Sequence, residues 1–400
     1  MINKLSQNKY LKNALLLILI LLAAVSLFQG VRNAIHDSQD FQWDAMKVFS
    51  HRINPYDESA NMNPSGILEQ YGYDKYYLQM EANQFPSLLM ILLVFAPLQP
   101  LTARYVWIVL NLLFTALIVF LLKKTLLKDM DNYSFCLLSL LMIAGTPYRN
   151  QLGVGQHTLF AFCFFLIALY FSEYSEKRNA FIVTIALFIC YFKYTLTVPL
   201  VLYFIYKKRY KEIIVSVLMH GVLTVVGAWW LNDSIMNMIL KPLLVSSKLA
   251  AEGGLDISAL FSGSVIAYIL AFVIMLALFI SAFRMNPKYE RTYMSCLILW
   301  SLIITYHRTY DFFVMITVYA MFLELEALSE NSQCIMSENG INYLKIFYFI
   351  TMISVFFVLR VFMESLSSRI FVGILYYILT IVVSIIVGRV GYYGKKEKAD

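Results

Sequence analysis

Apolar runs that approach twenty residues recur from one end of the chain to the other. The first is Ala14 to Phe28, followed by about 104–122, 133–148, 157–174, 179–193, 195–206, 213–231, 261–283, 292–306, 311–327, 342–360 and 369–388. A hydrocarbon core takes about 20 apolar residues per helix, fewer inside a bundle. Lipid offers the backbone no hydrogen-bond partner, so segments of this kind close their own bonds as helices. The pattern predicts an all-α polytopic membrane protein. Composition agrees: 60% of the 400 residues are hydrophobic and 14% charged, where soluble domains hold about half and about a quarter. Those figures exclude a disordered, collagen-like or nucleic-acid-binding chain.

A thirteenth run, about 85–98, is short and bounded by Pro86 and Pro97. Taken as a partial or re-entrant segment, it leaves about 12 crossings (11–13) and puts both termini in the cytoplasm. This register gathers 20 of the 32 basic residues on the inner side, among them Lys123, Lys124 and Lys128, the 207–211 cluster, Arg284, Lys288, Arg291 and the tail from Arg389. The acidic residues split 12 to 13. The positive-inside rule selects that register, and the net charge of +7 becomes a topology signal rather than a basic surface. Lys4, Lys9 and Lys12 precede the first run as in a signal peptide, but no small-x-small cleavage site follows, so an uncleaved first helix is expected. No repeat or linker divides the chain. We expect one multi-pass domain, 1–400, in the cytoplasmic membrane. It comprises a first outer loop at about 30–83, a catalytic-type core at about 12–310, C-terminal helices at about 311–389 and a cytoplasmic tail, 390–400. Cys136, Cys163, Cys190 and Cys296 fall in apolar runs and Cys334 in an inner loop, so neither disulfides nor a zinc site is expected.

The unusual polar segments then collect on the outer face. In the first loop, Ser38 is a candidate N-cap for a short amphipathic helix on the membrane surface. At 100° per residue Asp40, Trp43, Asp44 and Lys47 share one face and Phe41, Ala45, Val48 and Phe49 the other. A solvated face with an Asp44–Lys47 pair is the plainer alternative. Asn54-Pro55-Tyr56-Asp57 predicts a turn. Tyr148 to His157 packs Arg149, Asn150, Gln151 and Gln156 between two apolar runs, with Gly153 and Gly155 allowing close approach. Lys193 interrupts a hydrophobic stretch, where a lysine either snorkels or meets an anion. Tyr306-His-Arg-Thr-Tyr-Asp311 brings His307, Arg308 and Asp311 to one turn, a local Arg308–Asp311 pair being the simple arrangement. Carboxylates, cations and an imidazole at one rim suit an anionic lipid head group and a hydroxylated partner.

The ordered set Asp40-Phe41, Ala45, Asn54-Pro55-Tyr56, Gln84-Phe85-Pro86, Gly155-Gln156, Lys193 with Pro199, and His307 resembles the membrane-embedded GT-C glycosyltransferases, most closely glycosyltransferase family 87. The likeness runs through most of the chain and is weakest after about residue 320. It implies a GT-C fold and inverting transfer of a hexose from a polyprenyl-phosphate sugar, as in mannosyltransferases of cell-envelope glycan synthesis, to a lipid or glycan acceptor at the outer face. It implies a first-loop aspartate as base, matched by Asp40, with Asp44 one turn further on as the other candidate. Lys193, Arg308 and Arg149 would hold the donor phosphate, and Gln156, His307, Trp43 and Tyr56 the substrate. No cofactor is implied, and no set of three or four carboxylates calls for a divalent cation.

Two other readings fit an outward polar rim. A transporter or flippase for lipid-linked oligosaccharides would carry inverted repeats and mid-bilayer polar residues, and neither is visible. An oligosaccharide polymerase would bring large Arg-rich outer loops, whereas the 230–259 segment has only Lys241 and Lys248 as basic residues. Within it, the loop Asn232–Asp256 is expected to be an ordinary mobile connection, the alternative being a flap that closes over the acceptor.

Overall fold

The computed structural model describes residues 9–57, 69, 82–175, 179–250, 254–261, 264–358 and 366–396. Much of the expected first outer loop, 58–68 and 70–81, and the basic pair Lys177 and Arg178 lie outside the described residues. The helices in chain order are α1 Lys9–His36, α2 Trp43–Ser50, α3 Pro86–Leu92, α4 Pro100–Lys124, α5 Asn132–Ala144, α6 Thr146–Gly153, α7 Thr158–Leu169, α8 Ala180–Cys190 and α9 Tyr194–Tyr206. They continue as α10 Tyr210–Leu231, α11 Ile235–Ala250, α12 Ile257–Leu260, α13 Val265–Ala282, α14 Glu290–Ile304, α15 Tyr319–Glu330, α16 Glu338–Ile353 and α17 Leu366–Lys396. A 3-10 stretch, Thr309–Val318, leads into α15. Among the described residues there is no strand.

Local chemistry sets several boundaries. Pro100 opens α4, where its missing N–H costs nothing. Lys123 and Lys124 close that helix at the negative end of its dipole. Asp131, Asn179 and Ser337 cap α5, α8 and α16 through their side chains. The helices at the periphery, α1, α10 and α13, turn large apolar side chains such as Leu17, Val222 and Phe272 outward. In α7, by contrast, Leu159, Phe162, Phe165, Leu166 and Leu169 are wholly buried. Outward Leu and Phe on long helices suit lipid contact, since the bilayer interior is as apolar as the protein core.

Eight helical segments among the described residues are long and apolar enough to cross a membrane. The count is nine if the pair Thr146–Gly153 and Thr158–Tyr174, bent by 110°, is one span. The expectation of about 12 crossings is not met on this criterion: α5 and α14 are short, at 13 and 15 residues, and Ala180–Tyr206 counts once. The contacts show how that last stretch runs. The Lys207 ammonium, just past its end, lies 3.0 Å from Glu173 and 2.6 Å from Glu290, and Glu173 stands only a few residues before α8 begins. Lys193, in the middle, instead meets Asp311 near the start of α7. The chain therefore reverses at Lys193, as the separate runs 179–193 and 195–206 imply. The segment 85–98 forms α3 and one 3-10 turn, Leu93–Phe95, too short to cross, as expected.

Two ends of the bundle result. One carries Lys207 with Glu173 and Glu290, Arg291 with Asp129, and Lys345 with Glu326. The starts of α1 and α5 meet there, where the Tyr133 hydroxyl donates to the Lys12 carbonyl. The other end carries the first loop, the α6–α7 bend, the reversal at Lys193 and the 305–311 turn.

Candidate active site

The first loop leaves α1 through two left-handed residues, Ser38 (φ 41°) and Gln42 (φ 61°), with Asp40 between them. Ser38 does not cap α2. Its hydroxyl donates back to the Ala34 carbonyl at 2.5 Å, and Gln42 holds the N-cap position of α2. Arg104, fully buried on α4, donates to the carbonyls of Ile35 and His36 at 3.0 Å and so satisfies the end of α1. The Asp40 amide donates to the Val154 carbonyl at 2.8 Å, tying the loop to the α6–α7 bend. Gly155 (φ +68°) is needed at that bend: a Cβ there would also press on Ser38 at 3.3 Å. Trp107 donates to the Gly155 carbonyl at 2.8 Å and stacks on Phe41 at 5.0 Å, closing the floor beneath Asp40.

Gln156 reads the Asp40 carboxylate directly. Its Nε2 donates to Asp40 Oδ2 at 3.1 Å and to the Tyr310 hydroxyl at 2.8 Å, while its Oε1 accepts from the His157 amide. That last bond fixes which way the amide faces. Asp40 is 6% exposed. Burial pushes its carboxyl up from the ordinary 3.8, and the nearby charges of Lys193 and Arg308 and a hydrogen bond from Tyr310 draw it back down.

Asp311 organises the cations. Its Oδ2 lies 2.6 Å from His307 Nδ1 and 3.6 Å from the Lys193 ammonium, and its Oδ1 accepts from the Thr158 hydroxyl. In place of the plainer alternative, a local Arg308–Asp311 pair, Asp311 meets His307 one turn away and Thr158 and Lys193 from distant segments, because the turn into the 3-10 stretch aims it at α7 and the reversal. Arg308 donates through Nε to the Tyr306 hydroxyl. Lys193 does not simply snorkel; it is 12% exposed and anchored on a fully buried carboxylate. With Nδ1 committed to Asp311, His307 Nε2 is buried without a hydrogen-bond partner in the described structure, so it is the ring atom left for a substrate.

Asp40, Gln156, Lys193, His307 and Arg308 thus come together, and Tyr310, Asp311 and Thr158 join them. Asp44, Arg149 and Tyr56 form hydrogen bonds to other partners. Asp44 is buried on α2 with Oδ1 accepting from the Ala45 amide. Arg149 bonds Gln29 at 2.7 Å across to α1. Trp43 is buried in the packed cluster beneath the loop, and the Tyr56 hydroxyl donates to the Gln84 carbonyl at 2.7 Å. α2 is not a surface helix with one solvated face, since Trp43 to Phe49 are all buried. Lys47 reaches the Ala96 carbonyl. Asn54–Asp57 forms the expected turn, with Asn54 Oδ1 accepting from the Tyr56 amide at 3.0 Å. The 230–259 segment is not merely a loose connection: it holds α11.

An apolar cavity of about 500 Å³ opens beside the reversal, lined by Phe85, Tyr194, Val198, Val201, Ile205 and Val217 among others. Tyr191 and Tyr194, on either side of Lys193, both line it, and it follows α9 as far as Ile205. Among the described residues no group of three or more His, Cys, Asp or Glu side chains is placed to hold a metal.

The fold is that of a multi-pass membrane protein with a buried polar cluster at one end. The family model of glycosyltransferase family 87 matches residues 86–306, more than half of the chain, and the chain belongs to that family. No curated protein and no solved structure matches it. The matched stretch contains Gln156 and Lys193 but stops short of Asp40 on one side and of His307, Arg308 and Asp311 on the other.

Sequence reasoning missed Tyr310, Thr158 and Arg104 and cast Asp311 only as a local partner. Arg104 carried one signal, a cation at the very start of the apolar run 104–122. Thr158 and Tyr310 carried none, because Thr and Tyr are ordinary in such helices.

Proposed function

We propose that this enzyme moves a sugar from a polyprenyl-phosphate donor to a hydroxyl of a lipid or glycan acceptor, with inversion at the anomeric carbon. The observation that carries this reading is the Asp40 carboxylate, held by Gln156 and facing Lys193 and Arg308 in a buried site. Asp40 takes the proton from the acceptor hydroxyl as its oxygen bonds to the anomeric carbon. The bond from that carbon to the phosphate oxygen breaks, and its electron pair leaves with the lipid phosphate. Lys193 and Arg308 stabilise the charge that develops there. Attack opposite the leaving group inverts the centre. Burial favours the reaction twice: it makes the carboxylate a stronger base, and it strengthens the attraction of the cations for phosphate.

The apolar cavity supports a lipid-linked donor, because a chain lying along α9 between Tyr194 and Ile205 would end within a residue of Lys193 in the sequence. His307 Nε2, free for a ligand, suits a sugar hydroxyl or a phosphate oxygen. In this reading the basic end faces the cytoplasm and the site opens at the outer face of the cytoplasmic membrane. The test is incubation of purified protein with a panel of polyprenyl-phosphate sugars while released lipid phosphate is followed. Release with at least one donor, lost in Asp40→Asn while the variant stays folded, is the expected result. Full activity in Asp40→Asn would overturn the assignment of the base.

A further inference from the structure

α11 follows α10 at the site end and is amphipathic in an unusual way. Ile235, Met236, Ile239, Leu240, Leu243 and Leu244 are all exposed, while Met238 and Val245 are buried. The exposed residues recur at i and i+4 and so form one stripe. The polar side is fastened to the protein. The Lys241 ammonium lies 2.6 Å from Asp57 and 3.1 Å from Asp233, Asn237 donates to Asp233 at 2.6 Å, and Asn54 donates to the same carboxyl at 2.8 Å. Asn54 and Asp57 belong to the loop that carries Asp40. One residue of the apolar stripe, Ile239, also lines the cavity beside Lys193, together with Phe85 and Tyr194.

We propose that α11 lies in the membrane interface with its apolar stripe in lipid and forms the lip over which a lipid chain passes sideways into the cavity. The occupant of the stripe is the bilayer. The outward apolar face of α10, with Val222, Val225 and Trp229 exposed, leads directly into it, and the charged clasp on its other side marks the aqueous boundary. A helix with such faces sinks about 5–10 Å into the headgroup–acyl boundary. The clasp ties the lip to the loop bearing Asp40, so the cavity mouth and the catalytic loop move as one unit.

The lipid-facing part stands alone; the role as a lip rests on the lipid-linked donor proposed above. The full chain, with Cys136 and Cys334 replaced by serine, is reconstituted in phosphatidylcholine–phosphatidylglycerol nanodiscs with a nitroxide at position 236, 240 or 244. Oxygen should relax each label while a water-soluble nickel chelate does not, at a depth shallower than labels at 222 and 272. Chelate access equal to that of a label at position 57 would overturn the interfacial placement. In a transfer assay Ile239→Trp should raise KM for a long-chain donor about tenfold with kcat within twofold. A KM unchanged within twofold would overturn the lip. If no donor is turned over by the parent protein, the proposed function fails while the nitroxide result still decides where α11 lies.

Discussion

The two ends of the bundle hold similar charges under opposite conditions. At the basic end Lys345 and Glu326 are 23% and 38% exposed, and Arg291 and Asp129 12% and 57%. Each pair joins two segments and is wetted on at least one side. At the site end His307 and Asp311 are both fully buried, and Lys193 is 12% exposed against a carboxylate at 0%. Wetted pairs contribute about 0–1 kcal/mol, whereas removing one partner of a buried set costs about 3–5 kcal/mol because the other charge is stranded. The same residue types serve as fasteners at one end and as a poised electrostatic site at the other.

Asp311→Ala tests the contrast most severely. It strands Lys193 and frees His307 and Thr158, so a stability loss of about 3–5 kcal/mol and a fall in transfer of more than a hundredfold are expected, by thermal melting in detergent and by the transfer assay. Asp40→Asn should separate function from stability. A positioned base contributes about 10²–10⁴ in rate, so transfer should fall by that factor. Burial raises the Asp40 carboxyl, so its ionised form destabilises the fold as pH rises from the ordinary value through the raised one. The asparagine variant should therefore melt no lower than the parent at neutral pH. A clear drop in Tm would show that the carboxylate is structural.

The same direction sets the pH profile. In the proposed role of base Asp40 works only when ionised, so kcat/KM should fall as pH is lowered through a pKa above the ordinary 3.8. An acid limb at or below that value would break the argument. Gln156→Leu removes the donor to Asp40 and to Tyr310. A hydrogen bond to a charged group is worth about 1.5–3 kcal/mol, so a loss in transfer of roughly 10- to 100-fold is expected. At the basic end, Lys345→Met should change stability by less than about 1 kcal/mol and leave transfer untouched. A larger effect would erase the distinction between the ends.

Long apolar runs made the helices legible, because lipid permits few other structures. Residues that break such runs at a cost, Lys193 above all, made part of the site legible too. The helical period read over 40–49 holds only from Trp43 onward, because Gln42 turns left-handed and leaves Asp40 ahead of the helix, and it said nothing of the burial of Trp43 to Phe49 on every side. Length alone cannot distinguish one span from a hairpin in Ala180–Tyr206; the lysine in its middle does. Asp311 was misjudged because proximity in sequence favoured Arg308, while its actual partners Thr158 and Lys193 lie more than 100 residues away. Contacts of that range follow from packing and leave no local pattern.

Asp40 sits between two non-glycine residues in the left-handed region, each of which costs about 1–2 kcal/mol relative to a relaxed backbone. The loop behaves as a sprung clip: neighbouring contacts to Val154, Ala34 and Trp107 hold it under load, and the carboxylate is aimed by torsion rather than by a helix. A residue added or removed between His36 and Trp43 would release that load and swing the Asp40 carboxylate away from Gln156, even with every side chain of the site intact. Spacing in those few residues is therefore as much a part of the enzyme as the aspartate itself.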